Sequence, residues 1–314
     1  MADSILIWAH LDAPAEALLR AGLKDERVHF ANDVHPTAAD TAALADADII
    51  YGNVPPALLG RCRRLRWLQL ESVGFEGYPE AADPGLTVTN LKGMFEWPAA
   101  ETALAGLLAL GRGLRRLVPA QARRHWIEPE VRPESWVLHG RRAVVLGAGS
   151  IGGRVARLLR AFECDVQVFA RRNPEATLRT AAQLRAAVAQ SDVIVCCLPS
   201  TPRTAGLVSR ELLAAMPRSA IFVNIGRGAV VDETALVEAL QQGRLAGAVI
   251  DVTLAEPLPA THPLWDCPNT LLTQHTGGGY REELADKARI FLTNLARERA
   301  GQPLLNRVDL HSND

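Results

Sequence analysis

Arg227, Glu256 and His275 are three groups of different charge placed in order behind the run RAVVLGAGSIGG (142–153). A guanidinium can hold a carboxylate by two parallel hydrogen bonds and can polarise a carbonyl beside it. A carboxylate next to an imidazole favours the charged ring and fixes its tautomer. The ring can then protonate a carbonyl oxygen as hydride reaches the carbon, and in reverse the neutral ring accepts a hydroxyl proton. Together they would reduce or oxidise a small carbonyl acid. Singly each has an ordinary reading: an arginine between glycines is often a surface turn, and a His–Glu pair is often an incidental ion pair.

The element that must position them is read from the glycines. Gly147, Gly149, Ser150, Ile151 and Gly152 follow an apolar strand and open an amphipathic helix, VARLLRAF. In that context the first glycine permits the tight turn, the second lets backbone approach a pyrophosphate, and the third seats the helix on the strand. The helix start supplies donors to the phosphates. An NAD-preferring site places an acid about 20 residues on, at the end of the second strand. Here that strand ends Phe169-Ala170-Arg171-Arg172. With Ala170 where the acid would be and Arg171 and Arg172 behind it, a 2′-phosphate is welcomed, so NADP(H) is the expected cofactor, with NAD(H) as the alternative. Two exposed surface arginines are the plainer reading.

Strands are expected at 5–8, 27–30, 47–51, 65–70 and 86–90, with helices or helical turns at 14–23, 37–45 and 55–62 between them. A second series follows at 143–147, 165–170, 192–198, 220–225, 245–251 and 270–274. Such alternation predicts parallel sheets with helices on both faces. One long helix is expected over 98–118, its broad apolar face packing on both domains or on another subunit, and a last helix over 281–300 returns to the first domain. Arg227 follows the strand at 220–225, Glu256 the one at 245–251 and His275 the one at 270–274, so adjacent strand ends bring them to one crevice.

At 314 residues with 48% hydrophobic content, the chain has room for two cores. A net charge of −1 with no like-charge block argues against nucleic acid or an acidic membrane as partner. The basic stretches 61–66 and 112–124 read as solvated helix faces. No apolar run approaches a membrane span and the N-terminus does not resemble a signal peptide. Five cysteines without a CxxC pair fit a reducing cytoplasm, and no metal-ligand spacing is present. Trp97, Trp126 and Trp136 could shape a pocket, although buried packing is the expected role for each.

The stretches GAGSIGG, NIGRGAVVDE, DVTLAEPLP and HPLWDCPNTLLTQH, in this order and spacing, resemble the D-isomer-specific 2-hydroxyacid dehydrogenase family over residues 90–280. The first ninety residues match more weakly, chiefly at the loop ESVGFEG (71–77). The resemblance implies two doubly wound α/β domains: a Rossmann cofactor domain, 97–280, inserted in a flavodoxin-like substrate domain, 1–96 and 281–314. It maps the family's arginine, acid and histidine onto Arg227, Glu256 and His275. It maps the substrate-carboxylate amides onto Val73 and Gly74, and the nicotinamide carboxamide partner onto Asp251. Leu198, Pro199, Thr204 and Ile225 match the cofactor loops. The residue before the histidine is commonly proline in the family and is Gln274 here. The activity implied is NADP(H)-preferring reduction of short 2-oxo acids, glyoxylate and hydroxypyruvate foremost, to D-2-hydroxy acids, in a homodimer. Phosphoglycerate, phosphite or a larger 2-oxo acid as substrate, or a NAD(P)-sensing regulatory role, are the alternatives.

Overall fold

The computed structural model describes residues 3–75 and 77–310; Glu76 of the ESVGFEG loop lies outside them. The chain divides into two units, Met1–Met94 with Tyr280–Asp314, and Phe95–Gly279.

The first unit runs β1 (Ser4–Trp8), α1 (Ala13–Gly22), β2 (Arg27–Phe30), α2 (Ala38–Asp46), β3 (Ile49–Gly52), a 3-10 turn at Pro56–Arg61, β4 (Trp67–Gln69), α3 (Tyr78–Ala81) and β5 (Thr87–Thr89). All pairings are parallel, in the order β2-β1-β3-β4-β5. That is the flavodoxin-like order. Strand alternation sends Ile5 and Ile7 to one buried face and Leu6 and Trp8 to the other, which is why these strands read as continuous apolar runs. Of the basic stretch 61–66, Arg63 pairs with Asp46 and Arg64 with Asp48. Arg66 holds Asp3 and Glu298. The arginines are exposed as expected, but only Arg61 ends a helical turn, and the rest of the segment is an irregular approach to β4.

The second unit opens with α4 (Glu96–Gly111), α5 (Leu114–Ala122), α6 (Glu128–Val131) and a 3-10 turn at Arg132–Glu134. It continues β6 (Arg142–Leu146), α7 (Ser150–Ala161), β7 (Asp165–Phe169), α8 (Ala181–Val188), β8 (Val193–Cys196), α9 (Arg210–Ala215), β9 (Ile221–Asn224), α10 (Glu233–Gln241), β10 (Gly247–Ile250) and β11 (Thr270–Leu272). The sheet is parallel, in the order β11-β10-β9-β8-β6-β7. A single parallel bridge from Phe169 to Leu178 extends the β7 edge, where the third strand of a Rossmann half would sit. The order reverses at β6/β8, and the turn after β6 is the glycine run.

The single helix expected over 98–118 is two. α4 stops at Gly111, and Gly113 takes a left-handed φ of 68° before α5 begins. Trp136 packs over Gly111, and its amide donates to the Gly111 carbonyl at 2.9 Å. The apolar face of α4 (Ala100, Ala103, Leu107) buries against Val145, Val223 and Val249 of this unit's own sheet. Trp97 and Trp126 are exposed, at 45% and 83%, so the expected burial fails for both. Trp97 instead lies under the Arg154 guanidinium, 4.1 Å from the ring centre.

α11 (Glu283–Arg299) belongs to the first unit. Its Phe291 stacks on Tyr51 at 4.9 Å and on Trp67 at 5.4 Å between ring centres. Its Asn294 Nδ2 donates to the buried Gln69 Oε1 at 2.9 Å.

Candidate active site

Every loop that carries a candidate polar group in the second unit leaves the carboxyl end of a strand, the edge where open α/β sheets bind ligands. β9 leads to Arg227, β10 to Asp251 and Glu256, and β11 to His275, and β9, β10 and β11 are neighbours.

His275 Nδ1 lies 2.6 Å from Glu256 Oε2. Both are partly open to solvent, their side chains 53% and 36% exposed. Glu256 Oε1 accepts from the Thr253 amide at 2.9 Å, which fixes the carboxylate plane. Since Nδ1 faces a carboxylate, the ring carries hydrogen there and turns Nε2 outward. The turn bearing the histidine is held by Asp251. The Asp251 carbonyl accepts from the His275 amide at 2.6 Å, and its Oδ1 accepts from Thr273 Oγ1 and the Gly277 amide at 2.6 and 3.0 Å. Gln274 and His275 both take left-handed backbone, φ 52° and 58°. Proline, fixed near −65°, cannot adopt that φ, so the Gln in the family's proline position goes with a different entry into the histidine turn.

Arg227 is half-buried, and its Nη1 donates to the Gly226 carbonyl at 2.8 Å. Its glycine neighbours are required by close approach. A Cβ on Gly226 would stand 2.5 Å from Leu198 O, and one on Gly228 would overlap the Thr253 carbonyl. The GRG turn is thus pressed against both the 198 loop and the loop of Glu256. Asn224, absent from the sequence-level candidates, closes the turn: its Oδ1 accepts from the Gly226 amide at 3.1 Å and its Nδ2 donates to the Arg227 carbonyl at 3.2 Å. Asparagine hydrogen-bonding its own backbone two residues on is a turn signal that could have found it.

The glycine turn fits a dinucleotide. A Cβ on Gly152 would overlap the Gly147 carbonyl, whereas one on Gly149 would meet nothing within 4 Å and would project into open space. No side chain caps the α7 start at Gly149, which leaves the donors of its first turn, at Ser150 and Ile151, for an anion. Ile225 is buried, its amide bonded to Cys196 O at 3.0 Å. In the loop from Leu198 and Pro199, Thr204 Oγ1 donates to Pro199 O at 2.6 Å. Beyond β7, Ala170 is half-buried while Arg171 and Arg172 are exposed. Two further residues organise that loop. Asn173 Nδ2 donates to Ala148 O in the glycine turn at 2.8 Å, and Arg179 donates to the Arg171 and Asn173 carbonyls, each at 3.1 Å.

In the first unit, the loop after β4 spends its carbonyls internally. Ser72 O accepts from the Leu91 amide at 3.0 Å, Val73 O from Asn90 Nδ2 at 2.8 Å and Gly74 O from Ser72 Oγ at 2.7 Å. Among the described residues none accepts from the Val73 or Gly74 amide. Beside them Glu71 has a buried carboxyl oxygen with no hydrogen-bond partner among the described residues, and burial pushes its pKa up against the opposing pull of Lys287. The five cysteines are free thiols, and the deeply buried Cys196 is pushed up to about 12 by burial. Among the described residues no cluster suits a metal ion, and no helix is long and apolar enough to cross a membrane.

Residues 104–277 match the family model for the D-isomer specific 2-hydroxyacid dehydrogenase NAD binding domain. The chain is 36% identical over 304 residues to glyoxylate/hydroxypyruvate reductase B of Pectobacterium atrosepticum, covering 93% of this chain and 94% of that one. It is 33% identical over 291 residues to glyoxylate reductase of Aeropyrum pernix, covering 88% and 86%. Among solved structures, a D-isomer specific 2-hydroxyacid dehydrogenase from Xanthobacter autotrophicus Py2, in complex with NADPH and MES, superposes with a TM-score of 0.82 at 28% identity over 100% of both chains. With strand ends, glycine turn and sequence in agreement, this chain belongs to the D-isomer-specific 2-hydroxyacid dehydrogenases, NAD(P)-binding oxidoreductases of small 2-oxo and 2-hydroxy acids.

Proposed function

We propose that the protein reduces short 2-oxo acids, glyoxylate and hydroxypyruvate foremost, to D-2-hydroxy acids with NADPH in preference to NADH. The carrying observation is the 2.6 Å contact of His275 Nδ1 with Glu256 at the carboxyl edge that also bears the glycine turn and Arg227. In this reading Arg227 holds the substrate carboxylate, with the amides of Val73 and Gly74 as a second anchor. NADPH supplies the hydride that reduces the carbonyl carbon. His275 Nε2 gives its proton to the carbonyl oxygen, and Glu256 stabilises the ring while it is charged. Gly147, Gly149, Ser150, Ile151 and Gly152 would receive the pyrophosphate, Arg171 and Arg172 the 2′-phosphate, and Asp251 the carboxamide. Leu198, Pro199, Thr204 and Ile225 would line the cofactor.

The substrate choice is supported by the likeness to the glyoxylate/hydroxypyruvate reductase B of Pectobacterium and the glyoxylate reductase of Aeropyrum. The cofactor choice is supported by Ala170 in the acid's place and by NADPH in the Xanthobacter structure. A homodimer remains part of the proposal, but its surface moves. Leu114 and Val118 of α5 and Trp126 just after it are exposed, whereas the face of α4 is covered. A reducing compartment such as the cytoplasm agrees with five free thiols. The test is NADPH and NADH oxidation at saturating cofactor across glyoxylate, hydroxypyruvate, pyruvate and an aryl pyruvate. The reading expects the two short acids with NADPH to give the highest kcat/KM; an aryl pyruvate or NADH ahead would refute it.

A further inference from the structure

The loop that carries Glu256 is exposed from Leu254 to Pro257, yet its carboxylate must meet one imidazole nitrogen in one direction. An exposed loop with only its own turn to hold it samples many conformations. This one has an outside anchor. Glu233, the first residue of α10, accepts the Leu254 amide on Oε2 at 2.9 Å. Its other oxygen, Oε1, lies 3.3 Å from His262 Nε2, and the two side chains are only 12% and 24% exposed.

The tautomer of His262 follows from its second contact. His262 Nδ1 accepts from the Leu264 amide at 3.3 Å, where it caps the 3-10 turn Pro263–Asp266. With Nδ1 accepting, the neutral ring carries its hydrogen on Nε2, the atom that faces Glu233 Oε1 at 3.3 Å. The carboxylate therefore bonds one point of the segment 254–262, the Leu254 amide, and contacts a second, the His262 ring, from the start of α10. The span between these points contains Glu256, whose own anchor is the Thr253 amide at 2.9 Å. The VVDE and HPLW stretches of the sequence meet at this clamp.

We propose that Glu233, braced by His262, is a positioning residue that holds the 253–256 loop so that Glu256 meets His275. It touches neither substrate nor cofactor and acts through Glu256. The inference rests on the reading of Glu256 and His275 given above, and a double-mutant cycle separates the two.

The variants are Glu233→Ala, Glu256→Gln and both together, measured with NADPH and glyoxylate, with NADPH affinity followed by its fluorescence. The expected result is a fall in kcat of about tenfold for Glu233→Ala with NADPH affinity unchanged, and less than about twofold further loss when the same change is made in Glu256→Gln. Multiplying losses in the double variant would overturn the inference, because Glu233 would then act by some other route. A Glu256→Gln chain with full activity would overturn the underlying reading of the pair. Should Glu233→Ala fail to fold, Glu233→Gln keeps a carbonyl acceptor for Leu254 but opposes an amide to the Nε2 hydrogen of His262. Its loss, about threefold, must likewise vanish in the Glu256→Gln background. Hydrogen exchange gives a readout independent of turnover: the Leu254 amide exchanges faster in Glu233→Ala whether or not Glu256 is present, and unchanged protection there would also overturn the inference.

Discussion

Gly228→Ala isolates the contact that presses the Arg227 turn against the loop of Glu256. A Cβ at 228 would overlap the Thr253 carbonyl and stand 2.5 Å from Leu254 N. Ordinary van der Waals contact for such a pair begins near 3.4 Å, so the two backbones must part by about 1 Å. Neither side is the free end of a flexible side chain. Overpacking of this kind costs about 1–3 kcal/mol of stability. The larger effect should fall on turnover. A displacement of about 1 Å at a reacting constellation can cost on the order of 100-fold in rate. The assay pairs kcat for glyoxylate reduction with thermal unfolding. Gly60→Ala serves as control, since a Cβ there meets nothing within 4 Å. Gly228→Ala is expected to lose about 100-fold in kcat while remaining folded at 25 °C, and the control to lose nothing. Wild-type turnover in Gly228→Ala would show that the close approach of these loops does not set the geometry of the pair.

Glu256→Gln should lower kcat about tenfold, the lower end for a charge-assisted hydrogen bond because both partners are partly solvated, with KM for NADPH unmoved in steady-state kinetics. Arg171→Asp should shift the kcat/KM ratio of NADPH to NADH by at least about tenfold toward NADH, and an unmoved ratio would remove the 2′-phosphate assignment. Gln274→Pro cannot keep a φ of 52° and should cost stability and turnover together, whereas Gln274→Gly should leave the melting temperature equal or higher. For Glu71 the folded-state pKa lies above the unfolded one, so folding takes up a proton. The resulting penalty is full above the folded value and gone below the unfolded one. Glu71→Gln should therefore raise the melting temperature at pH 8 and leave it unchanged near pH 4.

Strands and the Rossmann turn were legible because buried parallel strands are short apolar runs bounded by loops, and because glycines mark where backbone must approach backbone. β1 and β2 fall on the expected runs, and β8 and β10 are shorter than theirs at both ends because apolar residues continue into the loops. The long helix at 98–118 misled for a physical reason. The residues Gly111-Arg112-Gly113 sit inside a continuous apolar pattern, and only the left-handed Gly113 and the packing of Trp136 reveal the break. α8 and α9, of 8 and 6 residues, are too short to show a helical period, and each begins at an N-cap, Thr180 and Ser209. At the candidate site, Arg227, Glu256 and His275 stood out by charge and order along the chain. The groups that hold them did not. Glu233 works through the amide of Leu254, far off in sequence, and no spacing rule announces such a partner, whereas Asn224 and His262 bond amides just ahead of them in the chain, a local turn signal weaker than charge and order. The exposure of Trp97 and Trp126 was equally hidden, since residue type alone argues for burial.

In the proposed reaction His275 is the group that protonates the substrate oxygen. Single-turnover reduction of glyoxylate by the His275→Ala chain preloaded with NADPH tests it directly. The rate is expected to fall by about 100-fold or more with NADPH affinity preserved. A rate close to that of the unaltered protein would contradict it.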